Sequence, residues 1–263
     1  MKSCHSLFPP ISMDPFQLVL GAFYVLRIFN TLIPQHGYIH PDEFFQFTEP
    51  VVGDMLSIKH LRTWEFQTDH PIRSMLSPII ISSFLCFLKY LYIPLSPYLL
   101  LVLPRLMFTL LSFVVDLCIY KMCGYMKIDH FWPLLTFASS YITLTYMTHT
   151  FTNSLEMIYL SLTLLIVVKS REEKKRLHTN QLGFLMALAI FNRPTFITFT
   201  FAPIIIWCSL GTNSFLKMIE NGLPICKSFM VTSLALVLVD TFYYEPDIHI
   251  FLAVSILCTL FLL

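Results

Sequence analysis

The chain has 263 residues, 56% of them hydrophobic and 13% charged, with a mean hydropathy of +0.70. A soluble domain carries roughly 25% charged residues, so the composition excludes an ordinary soluble protein and points to a polytopic membrane protein. The formal net charge of +1 supplies no basic patch or stripe of the kind a nucleic-acid partner needs.

The opening stretch "MKSCHSLFPPISMDP" lacks the charged-then-apolar layout of a cleavable signal, so the first apolar segment is expected to stay as a signal anchor. A hydrocarbon core of ~30 Å takes about 20 apolar residues per helix. By that measure the candidate spans are 15–33, 74–93, 98–123, 131–149, 154–168, 181–209 and 224–244. A last apolar run, 248–263, is shorter and gives the expectation of a fragment or truncated product. Glycine is scarce, with 7 residues against 25 Phe, so close glycine-mediated helix packing is not expected to dominate. The seven cysteines form no CxxC pair and mostly fall within apolar runs, where they read as small buried hydrophobes.

Between the first two spans lies the main polar stretch, 34–73, with six acids, three bases and four of the nine histidines. Loops this long inside a compact assembly are usually functional or disordered; Trp64, several Phe and interspersed Pro favour order. A second polar stretch, "KSREEKKRLHTN" (169–180), is strongly basic and is expected on the cytosolic side, with anionic-lipid binding as its functional alternative. If the acidic loop lies opposite, an odd number of crossings must separate the two, yet four segments do so. One of them must therefore be re-entrant, surface-lying or misread.

Five ionisable residues fall inside apolar runs: Arg27, Arg105, Asp116, Arg193 and Asp240. Each is costly in hydrocarbon and must face protein or water. Arg27 and Asp240 sit near span ends, where snorkelling to the interface is the simplest account. Arg105 and Asp116 share a helix face but stand ~16 Å apart, so each needs another partner. Arg193 precedes Pro194, which breaks the helix and frees a carbonyl. A cation there suits either an anionic ligand or a structural pair.

"HPDEFFQ" (40–46) is the acidic cluster. Pro41 suits a first helical position, which puts Asp42 and Glu43 in a first turn favoured by the helix dipole. The helix is expected to stop near Glu49 because Pro50 follows, with Asp42 and Gln46 on one face and Phe44 and Phe47 against the bilayer. A metal on His36, His40 and Asp42 is a weaker alternative, since Pro34, Gly37 and Pro41 interrupt the helix that ligation would need. HExxH, DxD and glycine-rich phosphate loops are missing from the sequence. A third reading makes a carboxylate the general base that deprotonates a sugar hydroxyl attacking a lipid-linked phosphosugar, with Arg73 and Arg193 as candidates to receive the departing phosphate.

The cluster is followed in order by "TWEF" (63–66), "IRSMLSP" (72–78), "PRLMFTLLSFVVD" (104–116), "THTFTNSLE" (148–156) and "FNRPTF" (191–196). This series, from about residue 18 to residue 244, resembles glycosyltransferase family 22, the dolichyl-phosphate-mannose-dependent mannosyltransferases of GT-C fold. It is most similar to the type that adds a fourth mannose to the GPI-anchor precursor. The resemblance implies an all-α, multi-pass GT-C-like helix bundle in the endoplasmic reticulum membrane, with 34–73 as a luminal catalytic loop holding short interfacial helices and 169–180 as a cytosolic loop. It implies inverting α-1,2 transfer of mannose from dolichyl-phosphate-mannose to the GPI glycolipid acceptor, without a metal or further cofactor. Asp42 is then the base, with Glu43 supporting it or substituting for it. His40, Gln46 and Arg73 shape the donor and acceptor site, and Asn153, Glu156, Asn192 and Arg193 follow as binding candidates. Family members are about twice as long, and after about Tyr244 the chain leaves their pattern. The expectation is one membrane domain, 1–263, forming the N-terminal half of such an enzyme. A transporter or channel with Arg193 and Asp116 along its pathway is the rival reading, although no internal repeat supports it; an inactive truncated partner protein is another.

Overall fold

The computed structural model describes residues 15–33, 37–67, 71–212 and 214–244. Among them the regular structure is helical: α1 (Pro15–Leu32), α2 (Glu49–Leu56), α3 (Leu76–Tyr90), α4 (Pro97–Met126), α5 (Phe131–Ser139), α6 (Thr152–Glu172), α7 (Thr179–Asn192), α8 (Phe196–Ser209) and α9 (Phe215–Tyr244). Four of these, α1, α4, α6 and α9, are long and apolar enough to cross a membrane. The terminal run 248–263 lies outside the described residues.

Two of the expected spans are broken. The 131–149 segment divides into the nine-residue α5 and a π-helical turn, Ile142–Tyr146. The 181–209 segment breaks at Arg193–Pro194 into α7 and α8, because Pro194 lacks the N–H that would continue the ladder and Arg193 turns to an extended backbone. A third, 154–168, short for a span in the sequence, extends two residues backwards and four forwards, and α6 at 21 residues reaches about 31 Å.

The bundle's two ends can be told apart from α6. At its N-terminal end, the Thr150 hydroxyl donates to the Glu43 carbonyl (2.7 Å) and the Thr152 hydroxyl to Gln46 (3.2 Å), so the acidic loop sits there. At its C-terminal end lie Lys169 and Arg171 and the basic loop. The two polar stretches are thus at opposite ends of one spanning helix. The crossing count then resolves at α3. Its start meets the acidic end, where Met75 packs with Val51 and Phe66 and the neighbouring Arg73 pairs with Glu65, and its last turn returns there, since Lys89 Nζ donates to the Met55 carbonyl. The next helix also begins at that end, where Tyr98 donates to the Leu32 carbonyl at 2.7 Å. The 74–93 segment therefore does not cross, and α4, the α5 segment and α6 make the odd number.

Packing is densest where helices meet in pairs. α6 contacts α4, α7 and α8, while α7 runs along α9. Phe47, Phe108, Val115, Met147 and Leu155 form one apolar core beneath the acidic loop, and Val167, Leu182, Trp207 and Ile225 form another toward the basic end. Glycine does serve one crossing: a Cβ on Gly183 would stand 2.4 Å from the Ile225 carbonyl oxygen, so the α7–α9 approach requires its absence. Of the five described cysteines, Cys118, Cys123 and Cys208 are buried as expected, whereas Cys86 and Cys226 are exposed.

Buried charges are paired rather than snorkelling. Arg27 is fully buried and donates to Asp116 at 2.6 Å and to Ser112 at 3.1 Å, with its guanidinium over Phe113. The interfacial account of Arg27 fails because α1 lays that face against α4. Asp240 likewise turns inward, accepting from the Ser74 hydroxyl (3.0 Å) and the Met75 N–H (2.8 Å) at the start of α3, an otherwise orphaned helix-end donor. Asp116 and Arg193 have different partners, which removes the basis for placing them on a common pathway.

Candidate functional site

The acidic cluster begins a helix as its sequence suggests. Pro41 precedes the first turn, and Asp42 and Glu43 enter it. The helix does not stop at Glu49. It widens into a π-helical turn over Phe44–Thr48 and runs on through Pro50 to Leu56. A proline ring clashes with the carbonyl four residues earlier in a regular α-helix; the wider turn moves that carbonyl aside. The widening also rotates the aromatic residues. Phe47, expected against the bilayer, is fully buried, edge-on to Phe108 with centroids 5.1 Å apart.

The two adjacent carboxylates have opposite fates. Glu43 is fully buried and accepts from Arg105 Nε at 2.7 Å, while Arg105 also donates to the Gly37 carbonyl at 3.2 Å. Glu43 Oε2 further accepts from the Ile39 N–H at 3.4 Å. Burial pushes the Glu43 carboxyl above its ordinary value, and the Arg105 guanidinium opposes that rise. Asp42 is half-exposed, with His40 Nδ1 3.4 Å from its carboxylate. His40 is exposed and also accepts from the Asp42 N–H at 3.3 Å. His36 lies outside the described residues, and no group of three metal-ligating side chains occurs among the described ones.

Beside Glu43 a second, continuous polar network crosses from the loop to the bundle. Gln46 is its hub. Its carbonyl oxygen accepts from Arg73 Nη1 and from the Thr152 hydroxyl, both at 3.2 Å, and its amide donates to Glu65 at 3.3 Å. Arg73 closes a ring by pairing with Glu65 at 3.0 Å. From Thr152 the network continues into α6–α8: Arg193 donates to the Thr152 hydroxyl (3.4 Å) and lies 3.7 Å from Glu156, which also accepts from Thr195 at 2.9 Å. Asn192 is buried and donates to the Thr152 carbonyl at 3.0 Å.

Of the nine candidates from sequence, Gln46, Arg73, Glu156, Asn192 and Arg193 thus join one network, with Glu43 bonded to the neighbouring Thr150. Asp42 and His40 form a separate exposed pair at the helix start. Asn153 touches the network at its edge, its Oδ1 accepting from the Thr152 hydroxyl at 3.4 Å, but is itself exposed and lines a shallow cavity of about 280 Å³ with Tyr146, Met147 and Met157. Glu65 and Thr152 also belong to the network and Thr150 adjoins it, and none of the three is among those nine. Glu65 lies inside "TWEF" and Thr150 and Thr152 inside "THTFTNSLE", so their motifs were the available signal. The partner that Arg105 needs is Glu43, which is 62 residues away in sequence.

Next to the network, His149 is buried, and its Nδ1 contacts the Thr145 carbonyl at 2.7 Å.

A helical membrane bundle bearing an acidic loop over a paired-charge network is the class to which this geometry belongs. The chain is a member of the Alg9-like mannosyltransferase family, which matches residues 18–257. It is 34% identical to human GPI alpha-1,2-mannosyltransferase 4 over 247 residues, covering 87% of this chain and 43% of the relative. It is 31% identical to GPI mannosyltransferase 4 of Drosophila melanogaster and 33% identical to that of Candida albicans, covering 85% and 84% of this chain and 39% and 46% of those relatives. The chain therefore spans less than half the length of these curated relatives. No solved structure gives a significant match.

Proposed function

We propose that the chain carries the acidic-loop part of a mannosyltransferase of GPI-anchor biosynthesis, taking mannose from dolichyl-phosphate-mannose and adding it to a mannose of the GPI glycolipid through an α-1,2 bond. In this reading the acidic end faces the lumen of the endoplasmic reticulum and the 169–180 loop faces the cytosol. The observation that carries it is the division of labour between adjacent carboxylates. Glu43 is spent on Arg105 inside the protein, whereas Asp42, at the same helix start, keeps a half-exposed carboxylate beside His40.

Asp42 acts as general base. It takes the proton from the acceptor hydroxyl as that oxygen bonds to the anomeric carbon of the donor mannose. The bond from that carbon to phosphate oxygen breaks, its electron pair leaves with dolichyl phosphate, and the configuration inverts. One carboxylate suffices, and no covalent intermediate is needed. Glu43 supports the base by anchoring its helix to α4, a role its full burial favours over substitution for Asp42. Arg73 and Arg193 are the cations nearest the Gln46–Thr152 hub and offer positive charge to the departing phosphate. His40 orients Asp42, and Asn192 and Glu156 hold the break at Arg193–Pro194 in place.

The test supplies dolichyl-phosphate-mannose and a trimannosyl GPI precursor to membranes containing the chain, from cells that lack the fourth-mannose activity. Asp42→Asn is expected to lower transfer by about 10²–10⁴-fold while expression and melting stay unchanged. Near-normal transfer by that variant would refute Asp42 as the base.

A further inference from the structure

At the end of the bundle opposite the acidic loop, α4, α6 and α7 enclose a cavity of about 430 Å³. Its walls are apolar, including Leu162, Leu165, Ile166 and Phe184. Its rim carries Lys121 from α4, Lys169 from α6 and His178 at the start of α7, and none of its lining residues is a carboxylate. The volume falls in the range of small-molecule sites. Apolar depth under a cationic rim is the form of an amphiphile site, and it sits toward the C-terminal ends of α4 and α6, the end of the bundle that carries the basic loop.

The two lysines are not accounted for by the fold. Lys169 lies in the last turn of α6, where a cation complements the helix end, but its Nζ is held 3.3 Å from His178 Nε2, a neighbour that brings no negative charge. Lys121 lies short of the last turn of α4, and among the described residues neither lysine forms a salt bridge. His178 holds a left-handed backbone with φ of +57°, a conformation that costs a non-glycine residue about 1–3 kcal/mol and persists where the surroundings fix it. Three side chains from three helices thus converge on one apolar opening without an anion from the protein.

We infer that this cavity binds an anionic glycerophospholipid, its headgroup phosphate between Lys121 and Lys169 and an acyl chain along Leu165 and Phe184. Basic pockets between membrane helices select anionic headgroups by this means. The site is separate from the acidic end and independent of the transferase reading: it would stand if that reading failed.

The test uses the full chain purified in mixed micelles, with the unfolding midpoint followed against the mole fraction of phosphatidylserine or of phosphatidylcholine. Phosphatidylserine is expected to raise the midpoint at lower mole fraction. Lys121→Gln with Lys169→Gln should raise the half-saturating phosphatidylserine fraction by about 25-fold, roughly fivefold per lysine. The midpoint in phosphatidylcholine should be unaltered. Lys174→Gln with Lys175→Gln removes the same charge from the loop outside the cavity and should leave the titration in place. Leu165→Trp fills the cavity with charge intact and should weaken binding. An equal loss from the loop pair, or no loss from Leu165→Trp, overturns the site in favour of diffuse surface charge. Equal protection by free inorganic phosphate overturns the lipid as its occupant. If the lysine pair lowers the midpoint in phosphatidylcholine as well, Leu165→Trp alone decides between these outcomes.

Discussion

Arg105→Leu removes the counter-charge of Glu43 and leaves a fully buried carboxylate with the Ile39 N–H as its remaining donor. Breaking a buried pair from one side typically costs about 3–5 kcal/mol, but Glu43 has an escape: it can take a proton. From an ordinary carboxyl value of 4.5, holding that proton at pH 7 costs at most about 3 kcal/mol, and burial, which raises the value, reduces the cost. The expected loss at pH 7 is therefore about 3 kcal/mol, a fall in the melting midpoint of roughly 6–12 °C for a chain of this size. The sign of its pH dependence follows. A carboxyl raised in the folded state contributes stability below its unfolded value, and that contribution disappears as pH rises through the folded value. The defect of Arg105→Leu should accordingly shrink between pH 7 and pH 5. Adding Glu43→Gln should recover most of it at pH 7, because no buried charge then remains. The assay is thermal unfolding of purified wild type, both single variants and the double variant at both pH values. If the double variant is no more stable than Arg105→Leu at pH 7, and the defect does not change with pH, the buried pair does not hold the Asp42–Glu43 helix start to α4 as described.

Gly183→Ala forces a methyl against the Ile225 carbonyl and Ser228 and should destabilise by about 1–3 kcal/mol through separation of α7 from α9, read as a lower melting midpoint with a smaller effect from Gly124→Ala, where a Cβ meets nothing. Gln46→Leu breaks the link from Glu65 and Arg73 to Thr152. It should lower mannose transfer in the membrane assay about 10-fold or more, the scale of one or two lost hydrogen bonds to charged groups, about 1.5–3 kcal/mol; transfer within twofold of wild type would remove Gln46 from the site.

Much of the bundle was legible because its cause is local. Apolar runs of about membrane length gave α1, α4 and α9 and a shorter one marked α6, and Pro194 marked its own break. The acidic helix start was legible for the same reason, since Pro41 and two carboxylates suit a first turn whatever surrounds them. The stop at Pro50 was misjudged because a π-helical turn depends on how Phe47 packs under Phe108, a residue 61 positions further on. Arg27 and Asp240 were misjudged in the same way: nearness to a span end says nothing about Asp116 or the start of α3, which only folding brings to them.

The sequence by itself determined a helical membrane protein, the two polar stretches, and an ordered series of motifs that marks its family, because composition and spacing are properties of the chain. Tertiary structure alone decided which of two neighbouring carboxylates is free. Asp42 and Glu43 are chemically alike and adjacent, and successive positions on a helix point about 100° apart. One of them therefore met Arg105 inside the protein while the other was left half-exposed beside His40.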